Sequence, residues 1–262
     1  MQNRYVGDVG DFGKYALLRR LSGVVGEQRV HLGIVWCLFP NEDHNGDGRH
    51  IAYLDAADFQ NLDQSLIARL RFIIQGGRRD VFSVISGDIL APRTVSCHEL
   101  ITPQKPCSAV ERLSWRSAWV ERCFELTADC ELVFFDPDNG LEVASVPKHH
   151  PKAGKYIYWN ELVPFWNRGN TLLIYHHLNR TAPAALQINS LKLRFASVFD
   201  RATIVPLVFR RGSSRVFWLV HRSDVLGQEL ERRAAHLLNT GWSRHFRPFG
   251  WPSDDQARTV AR

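Results

Sequence analysis

The sequence predicts an α/β chain: a mostly parallel sheet wound by helices and closed by an antiparallel hairpin near its end. Three observations predict this. Short apolar runs of the kind buried on both faces, at His31–Phe39, Leu132–Phe135 and Asn170–Ile174, alternate with stretches of helical spacing. Ala202–Phe209 and Arg215–His221 are two further strand-like runs, joined by the short Arg-Arg-Gly-Ser-Ser turn that a hairpin needs. Finally, 262 residues, 45% hydrophobic and 23% charged, are enough for one large α/β domain with a sizeable core.

The elements follow in order. Gly7, Asp8 and Gly10 form an approach loop to a first helix that carries Leu17, Leu18 and Leu21 on its apolar face, with Asp11 as its N-cap. Lys14 then projects beside free backbone N–H groups, a favourable place for an anion, although the same residues also read as a glycine-rich turn with an exposed lysine. The strand His31–Phe39 runs into a polar loop with Asn41, Glu42, Asp43, His44, Asn45 and Asp47. Asp63–Ile74 has helical spacing and stops at Gly76-Gly77. Asp80–Ser86 reads as a short strand running into Gly87-Asp88, and residues 91–108 as a long loop, a lid or an insertion. Ser114–Leu126, with Trp115, Trp119, Val120, Phe124 and Leu126, is an amphipathic helix.

The central stretch is Glu131–Glu142. Its apolar run breaks into Asp136-Pro137-Asp138-Asn139-Gly140, with Glu142 two residues on. In an open α/β sheet, ligands gather outside the carboxyl ends of the strands, so Asp136, Asp138, Asn139 and Glu142 are candidate catalytic groups. A tight turn also uses Pro, Asp, Asn and Gly, and this plain alternative stays open. Tyr156–Trp166 begins extended and becomes a short helix. The strand Asn170–Ile174 ends at Tyr175, His176, His177, Asn179 and Arg180, which makes His176 a candidate base or ligand. Adjacent strand residues point to opposite faces, so one of the two histidines is expected to face the site. Ala184–Phe199, with apolar positions from Leu186 to Val198, and Leu226–Leu238 are helices. The aromatic, basic tail from Gly241 folds back on a single domain over 1–252, and residues 253–262 are expected to fray.

Composition bounds the function classes. Five cysteines without a C-x-x-C pair argue for reduced thiols rather than a disulfide framework, with Cys37 in the core and Cys97 and Cys107 in loop-like sequence. Apolar runs are too short to span a bilayer and no signal-peptide pattern opens the chain, so no membrane partner and a cytoplasmic location are expected. A net charge of +6 suggests mild attraction to polyanions.

The order of elements, with a helix and an antiparallel hairpin closing the sheet, resembles the S-adenosylmethionine-dependent methyltransferase fold, a Rossmann-like sheet with helices on both faces. Asp136-Pro137-Asp138-Asn139 is similar to the D/N-P-P-Y/F motif of its amino-methylating members. Asp11-Phe12-Gly13-Lys14 with Leu17, Leu18 and Leu21 resembles the N-terminal helix of small rRNA adenine-N6 methyltransferases. The resemblance implies S-adenosylmethionine as cofactor and an amine of a nucleotide or nucleic acid as acceptor. Asp136 and Asp138 would orient the amine. Gly7, Asp8, Gly10, Lys14, Asp43, Asp47 and Asp88 would lie toward the cofactor. Two departures stand out: Phe39 is followed by no acidic residue with a glycine-rich loop, and Asp138-Asn139 replaces Pro and an aromatic. The G-D-x-G-D-F-G-K-Y and F-D-P-D-N-G-L-E stretches are also compatible with a separate bacterial family.

Two other classes remain open. Asp43, Asp47, Asp88, Asp136, Asp138, Glu142 and His176 are hard ligands of the kind a nuclease or phosphoesterase uses to hold divalent metal, although no metal-ligand spacing is present. A catalytically silent binding protein on the same fold is the third reading.

Overall fold

A computed structural model of the chain describes residues 1–23, 28–42, 46, 48–103, 105, 107–211 and 213–248. In chain order the main elements are α1 (Val9–Leu21), β1 (Leu32–Val35), α2 (Ala57–Gln60), α3 (Gln64–Gln75), α4 (Val81–Ser86), β2 (Val95–Cys97), α5 (Ala109–Leu126), β3 (Leu132–Phe135) and β4 (Gly140–Leu141). They continue with β5 (Tyr156–Ile157), α6 (Trp159–Arg168), β6 (Thr171–His177), α7 (Ala184–Val198), β7 (Thr203–Arg211), β8 (Ser213–His221), α8 (Val225–Leu238) and β9 (Phe246–Pro248).

Seven strands form one sheet in the order β2-β1-β3-β6-β8-β7-β9, and β4 pairs with β5 in a small second sheet. β2, β1, β3 and β6 are mutually parallel, whereas β8 enters antiparallel between β6 and β7. This is the Rossmann-like α/β architecture that the alternation of elements predicts. The chain leaves β1 toward β2 on one side and reaches β3 on the other, so the order reverses between β1 and β3.

Both faces of the sheet are covered, which is why its strands read as unbroken apolar runs. Alternate residues feed two cores: Leu132 and Phe134 of β3 pack with α1, α3 and α8, while Val133 and Phe135 pack with α5, α6 and α7. β6 splits the same way, with Leu173 and Tyr175 on the first face and Leu172 and Ile174 on the second. Phe195 of α7 packs edge-on to Trp159 and tilted against Trp218, each with ring centroids 4.8 Å away. Burying one such side chain contributes roughly 1.5–3 kcal/mol.

Several elements differ from expectation for local reasons. Asp80–Ser86 is not a strand but the N-cap and whole of helix α4, because the Asp80 carboxylate accepts from the Ser83 amide at 2.7 Å and Val81 and Val84 then share the buried face. Val-Phe-Ser-Val-Ile-Ser fits both periods, and the cap decides. Residues 91–108 are not simply a loop, since Val95–Cys97 pairs with β1 as the parallel edge strand β2. The first strand ends at Val35, earlier than Phe39, where Cys37 takes a φ of +45°. The N-cap of α1 is Asp8 rather than Asp11; it accepts from Gly10 N at 3.0 Å. In α7 only Ile188 and Phe195 are buried, and Leu186 and Leu193 face outward. The tail does fold back, adding β9 against β7. The expected fraying of 253–262 lies outside the described residues. No described helix is long and apolar enough to cross a membrane.

Candidate functional site

The carboxyl ends of β3 and β6, the N-terminus of α1 and the start of β8 surround a cleft of about 490 Å³. Its floor is a buried charge cluster. Asp11 and Lys14 stand three residues apart on α1, hence on one helix face, and the Lys14 Nζ lies 2.6 Å from Asp11 Oδ1 and 2.7 Å from Asp136 Oδ2. The Tyr15 hydroxyl donates to Asp11 Oδ2 at 2.9 Å, and the rings of Tyr15, Trp36 and Tyr175 lie 5.8, 5.9 and 5.9 Å from the ammonium. Burial works to discharge Lys14, but Asp11 and Asp136 outweigh it and raise its pKa, so the ammonium stays charged. Burial pushes the Asp11 carboxyl up, and the pull of Lys14 does not cancel this. The Tyr15 phenol is pushed well up by burial and then by Asp11.

Lys14 is therefore not a free anion-binding lysine, as its place in the first turn suggests. It is the buried cation that ties α1 to the end of β3. Asp136 in turn gives its Oδ2 to Lys14 while it lines the cleft.

Asp138 differs. Its side chain is only 4% exposed; Oδ2 accepts from Gln2 Nε2 at 2.9 Å and lies 3.5 Å from Lys155 Nζ. Oδ1 has no hydrogen-bond partner, the Met1 nitrogen being 4.0 Å away, and Asp138 lines the cleft. A buried carboxylate oxygen without a donor is costly unless something supplies one.

Asn139 receives its position from the backbone: its N–H donates to Lys155 O at 2.8 Å and its carbonyl accepts from His177 N at 3.0 Å. It lines this cleft and a second one of about 550 Å³, which also contains His176, His177, Asn179 and Arg180. His176 Nδ1 accepts from the Leu141 amide at 3.1 Å. Burial, with His177 adding, pushes its pKa down to about 4. A neutral ring whose Nδ1 is already an acceptor is a donor at Nε2, not a base.

The other expected site residues divide. Asp8 and Gly10 line the first cleft, where Arg215 Nη2 approaches Asp8 Oδ1 at 3.9 Å. Gly7 is buried in the turn before α1, with its carbonyl accepting from the Tyr53 hydroxyl at 3.1 Å. Glu142 is structural: it accepts from Trp159 N at 3.0 Å at the start of α6. Asp88 lies on a different face, 84% exposed and 3.6 Å from Arg69. Asp43 and Asp47 lie outside the described residues. Sequence reading did not select Asp11 as a site group, nor Tyr175, Arg180 or Arg215. The i, i+3 spacing of Asp11 and Lys14 was the available signal for the first; Arg215 arrives only through the pairing of β8 with β6.

No group of three or more His, Cys, Asp or Glu side chains among the described residues is arranged to hold a metal ion. The Cys37 thiol is pushed up to about 12 by burial, and Cys97 is buried in β2 rather than loop-borne. Comparison with family models, curated proteins and solved structures finds no match.

Proposed function

We propose that this chain is a methyltransferase-like enzyme that uses S-adenosylmethionine to methylate an amine of a nucleotide or nucleic acid. The observation that carries the reading is the meeting of two clefts at the Asp136–Asn139 turn, at the carboxyl end of a central strand. Two adjoining clefts suit a donor and an acceptor. The antiparallel entry of β8 between β6 and β7 supports it, because the methyltransferase fold is distinguished by such a strand.

The resemblance would seat the cofactor at the end of β1. That place is closed: Trp36 and Cys37 are fully buried, the Met1 nitrogen donates to the carbonyls of Cys37 and Asp136 at 3.3 and 2.9 Å, and Phe39 N donates to Met1 O. The first cleft has residues that suit the zwitterionic methionine end of the group. Asp138 Oδ1 lacks a donor and would accept from its ammonium, and Arg215 stands on the same wall for its carboxylate. Bound there, the cofactor would supply an electrophilic methyl group. The Asn139 side-chain amide, at the junction of the clefts, would orient the acceptor nitrogen. The cluster of Asp11, Lys14 and Asp136 keeps that turn rigid. Nothing among the described residues favours the metal-dependent hydrolase, since Asp11 and Asp136 share the Lys14 ammonium.

Calorimetric titration with S-adenosylmethionine and S-adenosylhomocysteine tests this. Binding that weakens about tenfold in Asp138→Asn is expected, from the loss of one charge-assisted hydrogen bond. Absence of heat with either compound at high protein concentration ends the reading.

A further inference from the structure

The two clefts differ sharply in charge. Asp8, Asp11, Asp136 and Asp138 line the first, with Arg215 and with Arg180, which faces both clefts, whereas no described carboxylate lines the second. In the second cleft, three kinds of donor converge. Arg180 is exposed and makes no ion pair with any described residue. Its backbone is nevertheless fixed: Asn179 Oδ1 accepts from the Thr181 amide at 2.9 Å, and the Gln187 side chain clamps Asn179 N and O at 3.2 and 2.9 Å. The first residue of α7, Ala184, lies on the cleft wall, and its N-cap, Pro183, provides no side-chain cap, so the N–H groups of the first turn are left open. The third donor is a ring N–H of the half-buried His176. Because His176 Nδ1 is taken by the Leu141 amide, Nε2 carries the ring proton, and it has no partner among the described residues.

A cleft with an exposed guanidinium, an open helix N-terminus, a half-buried ring N–H and no carboxylate among the described residues is complementary to an anion of several oxygens. We propose that it is a phosphate subsite, in which Arg180, the His176 Nε2–H and the first turn of α7 hold a phosphate ester of the acceptor. The inference rests on the reading of the second cleft as the acceptor side. It places this anion on the far side of Asn139 from Lys14, where the sequence suggests an anion site.

The test is calorimetric titration, without S-adenosylmethionine, of inorganic phosphate, a nucleoside 5′-monophosphate, the matching nucleoside and a short single-stranded oligonucleotide. The monophosphate is expected to bind at least about tenfold more tightly than the nucleoside, from charge-assisted hydrogen bonds. Arg180→Ala should remove that advantage without lowering the melting temperature, because the side chain is exposed and unpaired. His176→Asn, which retains an acceptor for Leu141 N, should remove part of it. Displacement of the monophosphate by the oligonucleotide identifies nucleic acid as the phosphate source, and monophosphate binding that the oligonucleotide does not displace identifies a free nucleotide; both support the subsite. Equal affinity for nucleoside and monophosphate, an Arg180→Ala variant that keeps the difference, or no phosphate binding at all overturns it. A protein that binds the monophosphate but not S-adenosylmethionine keeps the subsite and loses methyl transfer; the converse result loses only the subsite.

Discussion

Lys14 is the residue whose environment most changes its meaning. In sequence it is a lysine in a glycine-rich lead-in; in the fold its side chain is 4% exposed and its ammonium is bonded to two carboxylates. Removing one member of such a cluster leaves uncompensated buried charge. Lys14→Met is expected to cost about 3–5 kcal/mol, measured by urea denaturation. A loss below about 1 kcal/mol would show that the cluster carries little stability. Asn139 supplies the functional counterpart at this scale: Asn139→Ala should leave cofactor affinity intact while lowering methyl incorporation about a hundredfold, through lost orientation of the acceptor. Equal loss of both would place Asn139 on the cofactor instead.

Among the elements, α5 and α6 are joined by a second buried pair. Arg116 donates from Nε and Nη2 to the two Glu161 oxygens at 2.6 and 2.8 Å, and its guanidinium also reaches the carbonyls of Ala153 and Tyr156. Burial alone would raise Glu161, but the Arg116 hydrogen bonds and charge outweigh it and hold the carboxyl low. This lock positions the Tyr156 wall of the second cleft. Arg116→Met should therefore destabilise by about 3–5 kcal/mol and also weaken ligand binding there; unchanged urea midpoints would refute the first part. α1 depends on close approach rather than charge. A Cβ at Gly13 would collide with the Phe209 ring of β7, so Gly13→Ala is expected to cost about 1–3 kcal/mol, despite its better helix propensity. A more stable Gly13→Ala protein would contradict that packing.

The whole molecule should be acid-sensitive. His176 and His245 are both pushed down to about 4, mainly by burial, with His177 and Arg211 respectively adding, against an ordinary value of 6.5. Both fold as neutral rings, so the unfolded chain takes up protons first. Their contribution is present above about pH 6.5 and is lost as pH falls toward 4. The urea midpoint should drop across that window, and the His176→Asn, His245→Asn double variant should drop less. A midpoint that is flat from pH 7 to 4.5 would remove the argument. Because alternate residues of β3, β6 and β8 feed both cores, unfolding should be a single transition by fluorescence and circular dichroism alike.

By itself the sequence determined the architecture and which strand ends border the cleft. Apolar runs that end in Asp136 and in Tyr175-His176-His177 can be buried only as central strands, and a hairpin at Arg210–Ser214 can return only as an antiparallel strand. Those are properties of local pattern, and periodicity reads them. Where two periods fit equally, as at Val81–Ser86, one side-chain cap decided, and pattern was silent. The long-range partners of the polar residues were decided by tertiary structure. Asp8 caps α1 and Asp11 meets Lys14 through local spacing, but only the packing of α1 against the end of β3 brings Asp136 to the same ammonium and leaves Asp138 Oδ1 without a donor. The physical reason is that a buried charge takes its role from whatever lies within a few ångströms, and for Lys14 and Asp136 that neighbour is 122 residues away in the chain.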